Sequence, residues 1–195
     1  MGSVFIYAGA KSTRFADVGK VIADSGFLTN PPLVGGSLLI LVALLFKAAA
    51  FHFHAWVVDV YDGAPLPVTG FMATAVKTAV FAVFANFLMI NGELQQGWVS
   101  YLFYISVLTM FVGNLIAIGQ NSLKRMLAAS GIVHSGYLII ALVAINSEQF
   151  NGSTILFYLA AYAASTLGIF AALSYLGGEG EKRNSFDDFN GLAKV

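Results

Sequence analysis

Five stretches of this chain, 33–56, 68–90, 98–118, 126–145 and 155–176, are each about twenty residues long and hold at most one Lys, Arg, Asp or Glu. About twenty apolar residues, rising ~1.5 Å each as a helix, cross the ~30 Å hydrocarbon core of a bilayer. Within lipid every backbone N–H and C=O must find a partner inside the protein, so such runs become helices. The predicted fold is therefore an all-α polytopic membrane protein with about five complete transmembrane helices. Turn-forming residues punctuate the runs: Pro31-Pro32, Gly63-Ala64-Pro65, Asn91-Gly92, Gly119-Gln120-Asn121, Asn151-Gly152 and Gly177-Gly178. Trp56, Trp98 and Tyr101 fall near the predicted ends of spans, where amphipathic rings favour the interface.

Composition narrows the function classes. The 195 residues are 58% hydrophobic and only 10% charged, against about 25% charged in soluble domains. Ten basic and ten acidic residues cancel, so no net field recruits a nucleic acid. With no cysteine, the chain offers no disulfide, zinc–thiolate site, iron–sulfur ligand or thiol nucleophile. No metal-ligand set, phosphate loop or Ser/His/Asp arrangement suggests itself either.

Residues 1–10 are apolar but too short to span, and they read as the end of an upstream transmembrane helix. Residues 11–32 are polar, with a short amphipathic helix predicted near 15–22. The membrane domain runs over 33–176, and 177–195 is a further connection. Five spans put the connections on alternating faces. The face holding residues 11–31 carries three basic residues (Lys11, Arg14, Lys20), and the other carries five (Lys124, Arg125, Lys182, Arg183, Lys194). The positive-inside rule makes the second face cytoplasmic, so 11–32 is an extracytoplasmic connection and 177–195 a cytoplasmic one.

The informative residues are those that a span should not contain. A Lys at the centre of a transmembrane helix costs about 3 kcal/mol on insertion scales and is a functional hypothesis by default. Lys47, His52 and His54 lie in the first span, Lys77 in the second and His134 in the fourth. At ~1.5 Å per residue, Lys47 is about 21 Å from one end, and Lys77 and His134 are about 14–15 Å from the other. The three share a band around the midplane. Both lysines have small neighbours, as in Lys47-Ala48-Ala49-Ala50 and Ala73-Thr74-Ala75 before Lys77. Loss of hydration penalises any ammonium relative to the neutral amine, which is the property a proton relay requires. Lys47, Lys77 and His134 are thus candidate relay groups, with His54 a further candidate seven residues beyond Lys47 on nearly the same helical face. Ser130, four residues before His134, is placed to orient the imidazole. Lys124-Arg125 reads as a topology anchor, and Asp59 and Asp62 as turn or capping residues.

These residues sit in recognisable runs. Phe46-Lys47 through Asp59-Val60-Tyr61-Asp62-Gly63-Ala64-Pro65-Leu66-Pro67-Val68-Thr69 resembles the signature of subunit N in proton-pumping NADH-quinone oxidoreductase, respiratory complex I. Asn121-Ser122-Leu123-Lys124-Arg125 through His134-Ser135-Gly136-Tyr137 is similar to the segment shared by its antiporter-like membrane subunits. Phe186-Asp187-Asp188-Phe189 resembles the family's next cytoplasmic connection. The resemblance implies an inverted-repeat bundle of which this chain is the middle portion. Lys47 then matches the lysine of an interrupted helix, and Lys77 the central lysine of the next. It implies proton translocation coupled to quinone reduction, in a bacterial-type inner membrane, beside other antiporter-like and small membrane subunits. It places quinone, flavin and iron–sulfur clusters in other subunits and no covalent chemistry in this chain. A subunit of a multisubunit cation/proton antiporter, or of a ferredoxin- or hydrogenase-linked complex, is the alternative. The family usually carries proline where this chain has His52 and Val58. Proline removes a helix donor and helps break a span, so its absence moves the expected break elsewhere.

Overall fold

A computed structural model describes residues 1–90, 92–144, 152–178, 180 and 185–190, the side chains of 92–96 excepted. Asn91, the turn around 147–151, Lys182, Arg183 and Lys194 lie outside the described residues. Among the described residues the chain forms α1 (Gly2–Ala10), α2 (Phe15–Ser25), α3 (Pro31–Lys47), α4 (Ala55–Gly63), α5 (Leu66–Phe71), a π-turn (Met72–Val76), α6 (Lys77–Leu88), α7 (Gly92–Ile118), α8 (Leu123–Ala144) and α9 (Gly152–Gly177). Four helical segments are long and apolar enough to cross a membrane: Leu66–Leu88, Gly97–Ile118, Leu123–Ala144 and Gly152–Gly177. The fifth predicted span, 33–56, is not one helix. Its apolar part is the shorter α3, Pro31–Lys47.

The break begins where α3 ends. Asn30 caps the start, its side chain accepting from the Leu33 N–H, with Pro31 and Pro32 at the first two helical positions, where a missing N–H costs nothing. At the other end Ala49 takes φ 57° and His52 φ 73°. Left-handed backbone at non-glycine residues costs on the order of 1–3 kcal/mol each and persists only where surroundings enforce it. A left-handed residue just past a helix turns its last N–H groups back onto free carbonyls: Ala48 N–H reaches Leu44 O and Ala50 N–H reaches Leu45 O. The Phe51 N–H has no helical acceptor and donates 2.8 Å to the Thr109 hydroxyl on α7. Trp56 Nε1 donates to Phe46 O across the gap. The break therefore lies within Ala48–His54 and includes His52, contrary to the expectation from the missing proline.

Thr109 carries this arrangement from both sides, because its hydroxyl also donates to Ile105 O at 2.6 Å. Thr109→Val keeps the shape but strips the Phe51 N–H of its acceptor. A buried donor left unpaired costs about 1–3 kcal/mol, so the variant is expected to unfold at lower temperature. Amide exchange at Phe51 should accelerate, while exchange within α8 stays as in the parent.

α7 lies along α8, α1 along α3, α4 against α8, and α5 with the π-turn against α9. Phe81, Phe84 and Phe87 of α6 meet Leu138 and Ile139 of α8 in one apolar core. Val57 and Tyr61 of α4, Ala128 and Ile132 of α8 and Phe170 of α9 form a second. Phe111, Phe157 and Tyr175 point outward, as expected of faces turned to lipid or to other helices. α2 is the predicted amphipathic helix, with Val18 and Ile22 buried.

Candidate functional site

Lys77 is the middle residue of the Leu66–Leu88 span, and His134 lies within one residue of the middle of Leu123–Ala144. Lys47 is the last residue of α3, at the middle of the broken stretch Pro31–Gly63. Cations suit a helix C-terminus, where free carbonyls gather. Lys47 is exposed to a cavity of about 270 Å³ that it lines together with Lys77, Trp56, Tyr61, Met72 and Gly131. Trp56 is therefore a wall of this cavity rather than a residue at the end of a span.

Lys77 reaches the cavity because of the π-turn. Met72–Val76 adds a residue to one turn, which rotates everything after it by ~100° about the helix axis. The Thr74 hydroxyl bonds back to Gly70 O at 2.7 Å within this distorted stretch. The Lys77 side chain is only 7% exposed. Its Nζ donates to Gly131 O on α8 and lies 5.2 Å from the centre of the Tyr162 ring on α9, within cation–π range. Gly131 permits the approach: a Cβ there would stand 3.3 Å from Nζ and 3.5 Å from the Tyr162 hydroxyl. Both partners of the ammonium are uncharged. Deprotonation therefore strands no buried carboxylate, the event that makes breaking a buried ion pair expensive.

His134 sits one turn past Gly131 on α8. Its Nδ1 lies 2.5 Å from the Tyr158 hydroxyl on α9. Its ring is 4.7 Å from that of Tyr162 and stands edge-on to Tyr137 at 5.7 Å. The orienting hydroxyl is thus Tyr158 from the neighbouring helix, in place of Ser130. Tyr162 touches both the Lys77 ammonium and the imidazole, so α9 joins the two. Tyrosine in an apolar span carries no insertion penalty comparable to lysine, and neither ring stood out in the sequence. The usable signal was their spacing: Tyr158 and Tyr162 are four apart and share one face of α9.

His54 belongs elsewhere. It is the residue before α4, stacked on Phe51 at 6.0 Å, and its buried Nδ1 has no hydrogen-bond partner among the described residues. The helical phase that aligned it with Lys47 is lost at the break. His52 is exposed and contacts the Phe51 ring at 4.0 Å.

The charged residues at the α4 end bind α4 and α8 together. Arg125 pairs with Asp59 at 3.0 Å and Asp62 at 3.3 Å, and Lys124 is buried and donates 2.7 Å to Ala64 O. Lys124-Arg125 therefore ties α8 to the end of α4. Asp59 and Asp62 are ion-pair partners rather than capping or turn residues.

The chain matches the family described as NADH:quinone oxidoreductase/Mrp antiporter, TM, over residues 1–195. It is 40% identical to NADH-quinone oxidoreductase subunit N of Gemmatimonas aurantiaca, over 98% of this chain and 36% of that protein. The chain thus spans little more than a third of that relative's length. Among solved structures, it superposes on a chain of respiratory complex I from Thermus thermophilus with bound aureothin at TM-score 0.68 and 35% identity, covering 89% of this chain and 35% of that one. It also superposes on a chain of the membrane-bound sulfane sulfur reductase, an archaeal respiratory membrane complex, at TM-score 0.83 and 26% identity, covering 96% of this chain and 38% of the other. The broken α3–α4 element, the four spans and this match together make the chain an integral membrane protein of the NADH:quinone oxidoreductase/Mrp antiporter transmembrane family.

Proposed function

We propose that this chain is the middle part of a proton-translocating membrane subunit of an NADH-quinone oxidoreductase, of the subunit N type. The carrying observation is one cavity that both Lys47 and Lys77 line. A cavity of about 270 Å³ holds several waters at roughly 30 Å³ each. Protons pass between Lys47 and Lys77 through that space. From Lys77 they move along α8 and α9, past Tyr162, to His134. The redox centres and the quinone lie in other subunits, and this chain supplies proton positions alone. It sits in a bacterial plasma membrane beside other antiporter-like and small membrane subunits. The Asp59–Arg125 end faces the cytoplasm, and residues 11–32 face the opposite side.

The resemblance to subunit N, at 40% identity, supports this partner set over a cation/proton antiporter. Sequence identity is higher to the complex I chain, 35%, than to the sulfane sulfur reductase chain, 26%, and the name of the 40% identical relative supplies NADH as the proposed source of electrons. Purification of the full-length subunit through an affinity tag, from its native membrane, tests the assignment. NADH-oxidising subunits carrying flavin and iron–sulfur clusters are expected to co-purify, with NADH-dependent quinone reduction. Recovery in an antiporter assembly lacking NADH oxidation contradicts it.

A further inference from the structure

We infer that Tyr158 is a positioning residue for His134, setting which imidazole nitrogen carries the proton. The inference rests on the relay reading above. Among the described residues, the hydrogen-bond partner of Nδ1 is the Tyr158 hydroxyl. The rest of the ring is bounded by aromatic faces and edges, those of Tyr137 and Tyr162. These rings restrict how far the imidazole can swing. They fix its plane, and among the described residues the hydrogen bond to the ring is the one from Tyr158.

A neutral imidazole has one donor and one acceptor nitrogen, and the bond made by one decides the state of the other. A phenol that donates to Nδ1 keeps the imidazole proton on Nε2, the edge turned away from Tyr158. When a further proton arrives, Nδ1–H must donate, and the phenol turns its own hydrogen aside to accept. With Nε2 already protonated, Nδ1 is the nitrogen that must take that proton, so entry at His134 waits on rotation of the Tyr158 hydroxyl, and the proton that then leaves on the far side is the one held by Nε2. The anchor is stiff, because Tyr158 stands one turn before Tyr162 on α9 and both rings pack against the same imidazole.

Tyr158→Phe keeps the ring and removes only the hydroxyl. In the full-length subunit within its assembled complex, proton pumping is expected to fall roughly fivefold, the scale of one lost hydrogen bond to an active group. Its pH profile should shift with it. The same change made in a His134→Gln background is expected to add nothing, because an effect exerted through His134 vanishes with His134. 3-Fluorotyrosine at position 158 retains the fold and makes the phenol a stronger acid, and it should displace the pH profile while assembly stays normal. An unchanged rate and pH profile for both variants, or losses that add to that of His134→Gln, would overturn the inference. If Lys77→Ala also leaves pumping intact, the relay reading itself fails. If Lys77→Ala stops pumping while the Tyr158 variants behave as the parent, only the role of Tyr158 is lost.

Discussion

Lys77→Ala, made in the full-length subunit, is expected to lower proton pumping by roughly a hundredfold or more, the scale set by one positioned proton-transfer group. Quinone reduction should fall with it in a tightly coupled complex. The substitution is structurally mild. Gly131 O keeps the Ser135 hydroxyl at 3.1 Å after the amine is gone, and no buried carboxylate loses a partner, since Lys77 has none among the described residues. The complex is therefore expected to assemble at the parental level, which gel filtration and subunit staining check. Lys77→Arg is expected to fail as well. A guanidinium stays protonated in any protein setting and cannot release the proton a relay must pass on. Restored pumping in Lys77→Arg would mean that fixed charge suffices at this position, and would count against a relay.

Gly136→Leu is expected to abolish assembly altogether. On α8, Gly136 faces α7 so closely that a Cβ would come within 2.5 Å of the Met110 side chain, 3.0 Å of Ser106 O and 3.1 Å of Met110 N. The methionine can swing away, but the two backbone atoms cannot. Overpacking a well-filled interface typically costs about 1–3 kcal/mol and more where backbone must shift. Here the two helices in closest association would be forced apart. That movement also drags Thr109 away from the Phe51 N–H and loosens the break beside Lys47. Gly136→Ala should give a graded, smaller loss. Subunit recovered in the complex, together with its thermal unfolding midpoint, separates the two variants. Equal recovery of Leu and parent would show that α7 and α8 do not pack at this spacing.

The spans were legible in the sequence because an apolar run of twenty residues has one stable form in lipid. Lys47, Lys77 and His134 were legible because a polar side chain in such a run is costly. An interruption near Lys47 was implied by the family resemblance, but its position was not legible, because nothing local marks it. Ala48–His54 holds no proline or glycine, and the left-handed turns at Ala49 and His52 depend on Thr109, 58 residues from the Phe51 whose N–H it accepts. The π-turn before Lys77 is equally silent, with Met72-Ala73-Thr74-Ala75-Val76 reading as ordinary helix. The pairing of Arg125 with Asp59 and Asp62 joins residues more than 60 apart, beyond any local pattern. Tyr158 and Tyr162 were missed for a chemical reason. An amphipathic ring is tolerated in an apolar span whether or not it bonds anything, so its presence alone carries little information.

The measurement closest to the central claim is proton pumping and quinone reduction recorded together, in membrane vesicles holding the assembled complex with Lys47→Ala or Lys77→Ala. Loss of both activities in each variant, with assembly intact, is the expected result for two links of one path through a shared cavity. Both activities at the parental level would contradict the account and leave this segment a structural part of the membrane arm.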